Sequence, residues 1–180
     1  MRGKNLIVIL CLVFGVNSAL LAQEAEYVGA AKCKICHNKA GTPAKPAVKQ
    51  YDIWAASLHA KAMASLSNEK SKAYAKKNGI ADPAKDAKCL KCHSTFWNVK
   101  ESLRGTITEA EGVSCETCHG PGSLYKTNAF MKPDVAKTKG LIVPSEALCK
   151  KCHNADNPFS KPFNFEEAKK SITHMNPKAV

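Results

Sequence analysis

The sequence predicts a mainly α-helical, loop-rich fold in which side chains supply only part of the interior. Three observations predict it. Several segments carry helical periodicity with capping signals, none shows the alternation of a strand, and one cysteine–histidine pentad recurs four times in 180 residues. The first helix is expected from about Pro46 or Ala47 to Asn78, with an interruption near Ser67 and a left-handed stop at Asn78-Gly79. The second runs from Asp82-Pro83 to Cys92, with Asp82 as N-cap and Pro83 in the first turn. The third is "NFEEAKKSITHMNP", where Asn164 and Glu167 have capping-box spacing and Pro177 ends the helix. Gly120 to Pro144, with scattered Gly and Pro, reads as loop.

Ahead of these elements, Arg2 and Lys4 precede an apolar run from Leu6 to Val16 and a short segment ending at Ala22. This pattern predicts a secretory signal peptide over residues 1–22 and one domain over 23–180. The apolar run is too short to span a bilayer unaided. Cys11 lies inside it and is discarded with it. Cleavage lowers the formal net charge from +12 to +10, since Arg2 and Lys4 are lost and no acidic residue is. A basic balance in an exported chain, with no polybasic block, argues against nucleic acid. It favours acidic protein partners, or peripheral contact with an anionic membrane surface.

Of nine cysteines, eight remain after cleavage, and all fall in the pentads Cys33–His37, Cys89–His93, Cys115–His119 and Cys149–His153. A disulfide framework explains an even number of cysteines but not a histidine after each pair. Zinc knuckles are indifferent to that next residue, and a redox dithiol belongs in a βαβ context that is missing here. Covalent haem attachment requires every element: two thiols for the two vinyl groups of one porphyrin, and an adjacent histidine for the iron. The pentads therefore predict four covalently attached haem c groups. Cys33, Cys36, Cys89, Cys92, Cys115, Cys118, Cys149 and Cys152 would hold the porphyrins, and His37, His93, His119 and His153 would be proximal ligands. Attachment of this kind takes place on the exported side of a membrane, so the periplasm is the expected compartment.

About 40 residues per haem cannot build a conventional core around each one, so porphyrins must fill much of the interior. The fold class is a small multihaem cytochrome c fold, with helices and loops wrapped around four closely packed c-type haems. The pentads are 56, 26 and 34 residues apart, which excludes a uniform repeat.

Two histidines remain, His59 and His174. His59 shares a helical face with Val48, Ala55, Ala56, Ala62, Met63 and Leu66, a small-residue surface that a flat porphyrin can approach, and reads as a distal ligand. His174 points away from the stripe of Phe165, Ala168, Ile172 and Met175, so it reads either as ligand or as surface residue. Two spare histidines complete at most two bis-histidine haems. The others must take methionine, with Met131 the freest, another ligand, a histidine from a neighbouring chain, or an open position.

"IWAASLHAKAMASL" after the first pentad, "GVSCETCHGPG" around the third and the aromatic "FNFEEAKKSITHMN" after the fourth resemble the tetrahaem cytochrome c-554 family. The resemblance implies helices around closely packed haems and electron transport. It also implies His59 as distal ligand of the His119 haem, His174 as distal ligand of the His153 haem, and a five-coordinate His93 haem. In the family a histidine after the Cys-His-Gly-Pro-Gly turn completes the first haem. Here that loop reads "SLYKTNAFMKPDVAK", without histidine, which leaves Met131 as a candidate for the His37 haem.

An exported electron carrier with redox protein partners is the leading functional expectation. A redox enzyme acting on a small nitrogen species such as nitric oxide or hydroxylamine at an open haem is the alternative. A subunit of a multihaem assembly is the third reading.

Overall fold

A computed structural model of the chain describes residues 23–43, 47–159 and 161–174. The expected signal peptide, Pro46, Met175 and the Pro177 stop lie outside the described residues. No strand occurs among the described residues; Lys39 and Val48 form an isolated antiparallel bridge. The elements are short helices: α1 (Ala30–His37), α2 (Gln50–Ala56), α3 (Ala62–Ser65), α4 (Glu69–Lys77) and α5 (Ala87–His93). After these come α6 (Thr95–Asn98), α7 (Cys115–His119), α8 (Pro133–Thr138), α9 (Glu146–Cys149) and α10 (Phe165–Lys170).

The helix expected before Asn78 with an interruption near Ser67 is three helices, because a further break precedes the expected one. The chain leaves helical geometry at Ser57, whose backbone is extended and whose hydroxyl donates to the Trp54 carbonyl. That local bond competes with the helical ladder, as serine commonly does. A second break falls at residues 66–68, where the Asn68 side chain accepts from Ser71 N and caps α4. Asn78 then ends α4 as expected.

The second helix starts later than expected. Asp82 accepts from Ala84 N at 2.9 Å and closes a turn, while Asp86 accepts from Lys88 N at 2.8 Å as the true N-cap of α5. Asn164 caps α10 as expected, accepting from Glu167 N, but the helix ends at Ser171. The segment read as loop after Gly120 contains α8, with Pro133 in its first turn and Asp134 next to it. Both are helix-start signals.

The buried apolar residues among those described are ten: Val28, Ala30, Leu66, Ala75, Ile80, Leu90, Val99, Ile107, Tyr125 and Ala136. Three of them are alanines, so the interior built by side chains is small for a domain of this length. Buried polar joints hold the loops together instead. Thr95 N donates to Gly112 O and Ser114 N to Thr95 Oγ1, both at 2.8 Å, and Thr95 Oγ1 also meets Thr117 Oγ1. These bonds weld the end of the second pentad to the start of the third.

Replacing Asp86 with alanine is expected to lower stability by about 1 kcal/mol. Asp82→Ala, which removes a turn contact, should cost less. Denaturant unfolding of the two variants against the wild type checks the order.

Candidate haem-attachment site

Each pentad lies at or across the end of a short helix. Cys33, Cys36 and His37 are in α1, Cys89, Cys92 and His93 in α5, and Cys115, Cys118 and His119 in α7. Cys149 is the last residue of α9, with Cys152 and His153 just beyond it. The eight cysteines are free thiols of intermediate burial. One helical turn separates the two cysteines of each pentad, so both thiols face one side, with the histidine beside them.

The thiols also bring different pentads together. Cys115 lies beside Cys33, and Cys152 beside Cys92. Cys118 and Cys149 are close enough for their charges to interact. By cysteine proximity the pentads run first, third, fourth, second, while Thr95 also joins the second to the third. Burial is the main cause holding the Cys118 thiol above its ordinary pKa, and it pushes Cys152 to about 12.

Imidazole rings are held by one nitrogen. His93 Nδ1 lies 2.8 Å from the Ala62 carbonyl and 3.2 Å from Ser65 Oγ; His119 Nδ1 is 3.2 Å from the Ile142 carbonyl. His174 Nδ1 is 3.0 Å from the Ile172 carbonyl, and the Gln50 side chain lies beside His37. A carbonyl accepts only from N–H, so in each backbone contact Nδ1 carries the proton and Nε2 keeps its lone pair for a metal. Burial is the first cause holding His37, His59 and His119 below the usual histidine pKa. It favours the neutral, ligating form.

The spare histidines face pentad histidines. The His59 and His153 rings have centroids 6.0 Å apart at 76°, and those of His119 and His174 are 5.8 Å apart at 61°. Two imidazoles ligating one iron from opposite faces at about 2.0 Å each have centres about 6 Å apart. The pairing inferred from the family resemblance is thereby exchanged: His59 lies opposite His153, not His119, and His174 opposite His119, not His153. The physical reason is local. His59 is not on the α2 stripe but in the break at residues 57–61, where its carbonyl accepts from Val113 N and Ala62 N. His174 lies beyond the end of α10, so its helical position did not determine its direction. Met131 closes a turn on the Thr127 carbonyl and is half-buried.

Glycines of the third pentad's surroundings permit these approaches. Gly112 has φ +65°, and a Cβ there would lie 2.8 Å from the His59 carbonyl; Trp54 Nε1 donates to the adjacent Val113 carbonyl. At Gly120, φ +75°, a Cβ would lie 2.7 Å from Gly140 O. That close approach lets Ile142 N donate to His119 O while the Ile142 carbonyl holds the His119 ring. The 140–142 segment and Gln50 were missed by sequence reading. The Gly120–Gly140 approach is long-range, and no local signal announces it.

The residues fit covalent haem. Thiols and histidines are present in the required order, no three metal-ligating side chains converge as a bare ion would need among the described residues, and histidines oppose one another in pairs. Apolar side chains are also left in water beside the pentads: Ile35 is 67% exposed, Leu58 85% and Val143 65%. Burying each against a porphyrin would gain about 1.5–3 kcal/mol.

The family model for "Cytochrome c554 and c-prime" matches residues 32–120. Cytochrome c-554 of Nitrosomonas europaea is 32% identical over 165 residues, covering 87% of this chain and 60% of that protein. The chain belongs to the cytochrome c-554 family. It is a c-type cytochrome by family, with a mainly α fold and covalently bound haem, and it spans about 60% of the length of that relative. A DnaJ protein homolog of Saccharomyces cerevisiae is 29% identical over 76 residues, 42% of this chain but 14% of that protein, and so says little about the whole. No solved structure matches the chain.

Gly112→Ala is expected to destabilise the haem-loaded protein by about 1–3 kcal/mol, from strain at positive φ and the clash with His59. Its oxidised spectrum should gain high-spin character as His59 is displaced. A thermal melt and an absorption spectrum of the variant check both.

Proposed function

We propose that this cytochrome c-554 family member is an exported electron carrier with four haem c groups, one per pentad, exchanging electrons with redox protein partners in the periplasm. The opposition of His59 to His153 and of His174 to His119 carries the reading, because each pair joins one pentad histidine with one histidine outside the pentads. In this reading the third and fourth haems are bis-histidine. The chain has six histidines, so pairing four leaves His37 and His93 as ligands without a histidine partner from the same chain. Met131 is the candidate for the His37 haem, and the His93 haem keeps an open position.

When bound, each haem supplies one reversible one-electron site whose potential follows its axial ligands and burial. The protein's part is to hold these sites in a row. Its cysteines fix each ring edge, its Nδ1 contacts fix ligand orientation, and the thiol contacts favour the sequence first, third, fourth, second. Lys88, Lys91, Lys150 and Lys151 are exposed on the second and fourth pentads, with Lys150 paired to Glu146 at 2.7 Å. This end suits an acidic partner, which exposed lysines steer and orient.

The alternative, a redox enzyme for a small nitrogen species, draws on the ligand count at His93 and His37. Haem spectra separate the two readings. The covalent haem count should be four, and carbon monoxide should bind the reduced protein at the incompletely ligated haem without turnover of nitric oxide or hydroxylamine. Turnover would favour the enzyme, and a count below four would reject the haem assignment. His59→Ala should convert one low-spin haem to high-spin; an unchanged spectrum would remove His59 as a ligand.

A further inference from the structure

Glu116 is the residue after Cys115 in the third pentad, a spacer position that haem attachment leaves chemically free. It is nonetheless 2% exposed. Its Oε1 accepts from Val28 N at 2.8 Å and Gly122 N at 2.7 Å, and its Oε2 accepts from Gly29 N at 2.7 Å. Glu111 takes the next amide: its Oε2 accepts from Ala30 N at 2.8 Å and from Ser114 Oγ at 2.9 Å. Two carboxylates thus occupy three consecutive amides at the amino end of α1, the helix that carries the first pentad. Gly29, at φ +81°, is required there, since a Cβ would lie 2.5 Å from Glu111 Oε1.

Burying a carboxylate is costly and is tolerated where charge-assisted bonds satisfy it. Glu116 therefore fixes geometry as well as adding stability: three donors from two separate segments meet one rigid group. Cys33 and Cys115 lie next to each other beside it, and Cys33 is one turn into α1 from Gly29. Whatever sets the position of α1 against α7 also sets the position of the first porphyrin edge against the third.

We propose that Glu116 is a positioning residue which, with Glu111, clasps the start of α1 to the third pentad and fixes the mutual placement of the two haems attached there. The inference rests on the reading that both pentads carry haem. Electron transfer between neighbouring haems falls steeply with edge separation, so the clasp acts on the rate of the first hop without touching either iron.

The test uses the haem-loaded protein and the variants Glu116→Gln, Glu116→Ala and Glu111→Gln, with Glu109→Gln as an exposed control from the same stretch. Mass and the covalent haem count report loading, and the split Soret circular dichroism signal reports the relative placement of adjacent porphyrins. At full loading, Glu116→Ala should lose at least half of the split amplitude, Glu116→Gln and Glu111→Gln less, and Glu109→Gln none. A fully loaded Glu116→Ala variant with the wild-type signal overturns the clasp while leaving the haem reading intact. A wild type without covalent haem overturns the haem reading itself. Amide exchange of the wild type decides the matter even if the variants fail to mature. The Val28, Gly29 and Ala30 amides should exchange at least a hundredfold more slowly than unstructured ones, and rates matching an unstructured peptide overturn the clasp.

Discussion

Backbone carbonyls hold imidazole rings throughout this fold, and an imidazole held by one nitrogen keeps the other available to a metal. The His93, His119 and His174 rings each turn Nδ1 to a backbone carbonyl, from Ala62, Ile142 and Ile172. Two of those carbonyls come from segments 23 and 31 residues away from the histidine they hold. Helices in this protein are accordingly short, and the connections between them carry the precise work. The break at residues 57–61 presents His59, the single turn of α3 holds His93 through Ala62 and Ser65, and residues 140–142 hold His119.

The second constraint is volume. The ten buried apolar residues among those described include three alanines, a small side-chain core for a domain of this size. The chain compensates with polar joints at low exposure: Ser94 and Ser114 at 1%, Thr95 at 5% and Glu116 at 2%. Such joints are directional, whereas apolar contact is not, so they define a single arrangement with few contacts.

The pentads, the helical class and the Asn164 cap were legible because each is local: spacing, periodicity and a side chain reaching three residues ahead. The start of α5 was misplaced because Asp82-Pro83 and Asp86 are equally plausible caps by residue type, and the choice depends on the turn that Asp82 closes with Ala84 and Lys85. Pro133-Asp134 did signal α8, but the glycines and prolines around it outweighed that signal. The partners of His59 and His174 were not legible at all. His59 lies in the non-helical segment 57–61 and His174 beyond the end of α10, so helical periodicity fixes the direction of neither.

The amides of Val28, Gly29 and Ala30 receive their carboxylate acceptors from residues 81 to 88 positions later in the chain. A polypeptide that emerges amino terminus first presents its first pentad long before either glutamate follows. Until then the stretch leading into α1 lacks the acceptors that hold its amides. Closure of the amino-terminal third thus awaits arrival of the middle third, and contacts so distant along the chain form more slowly than local ones.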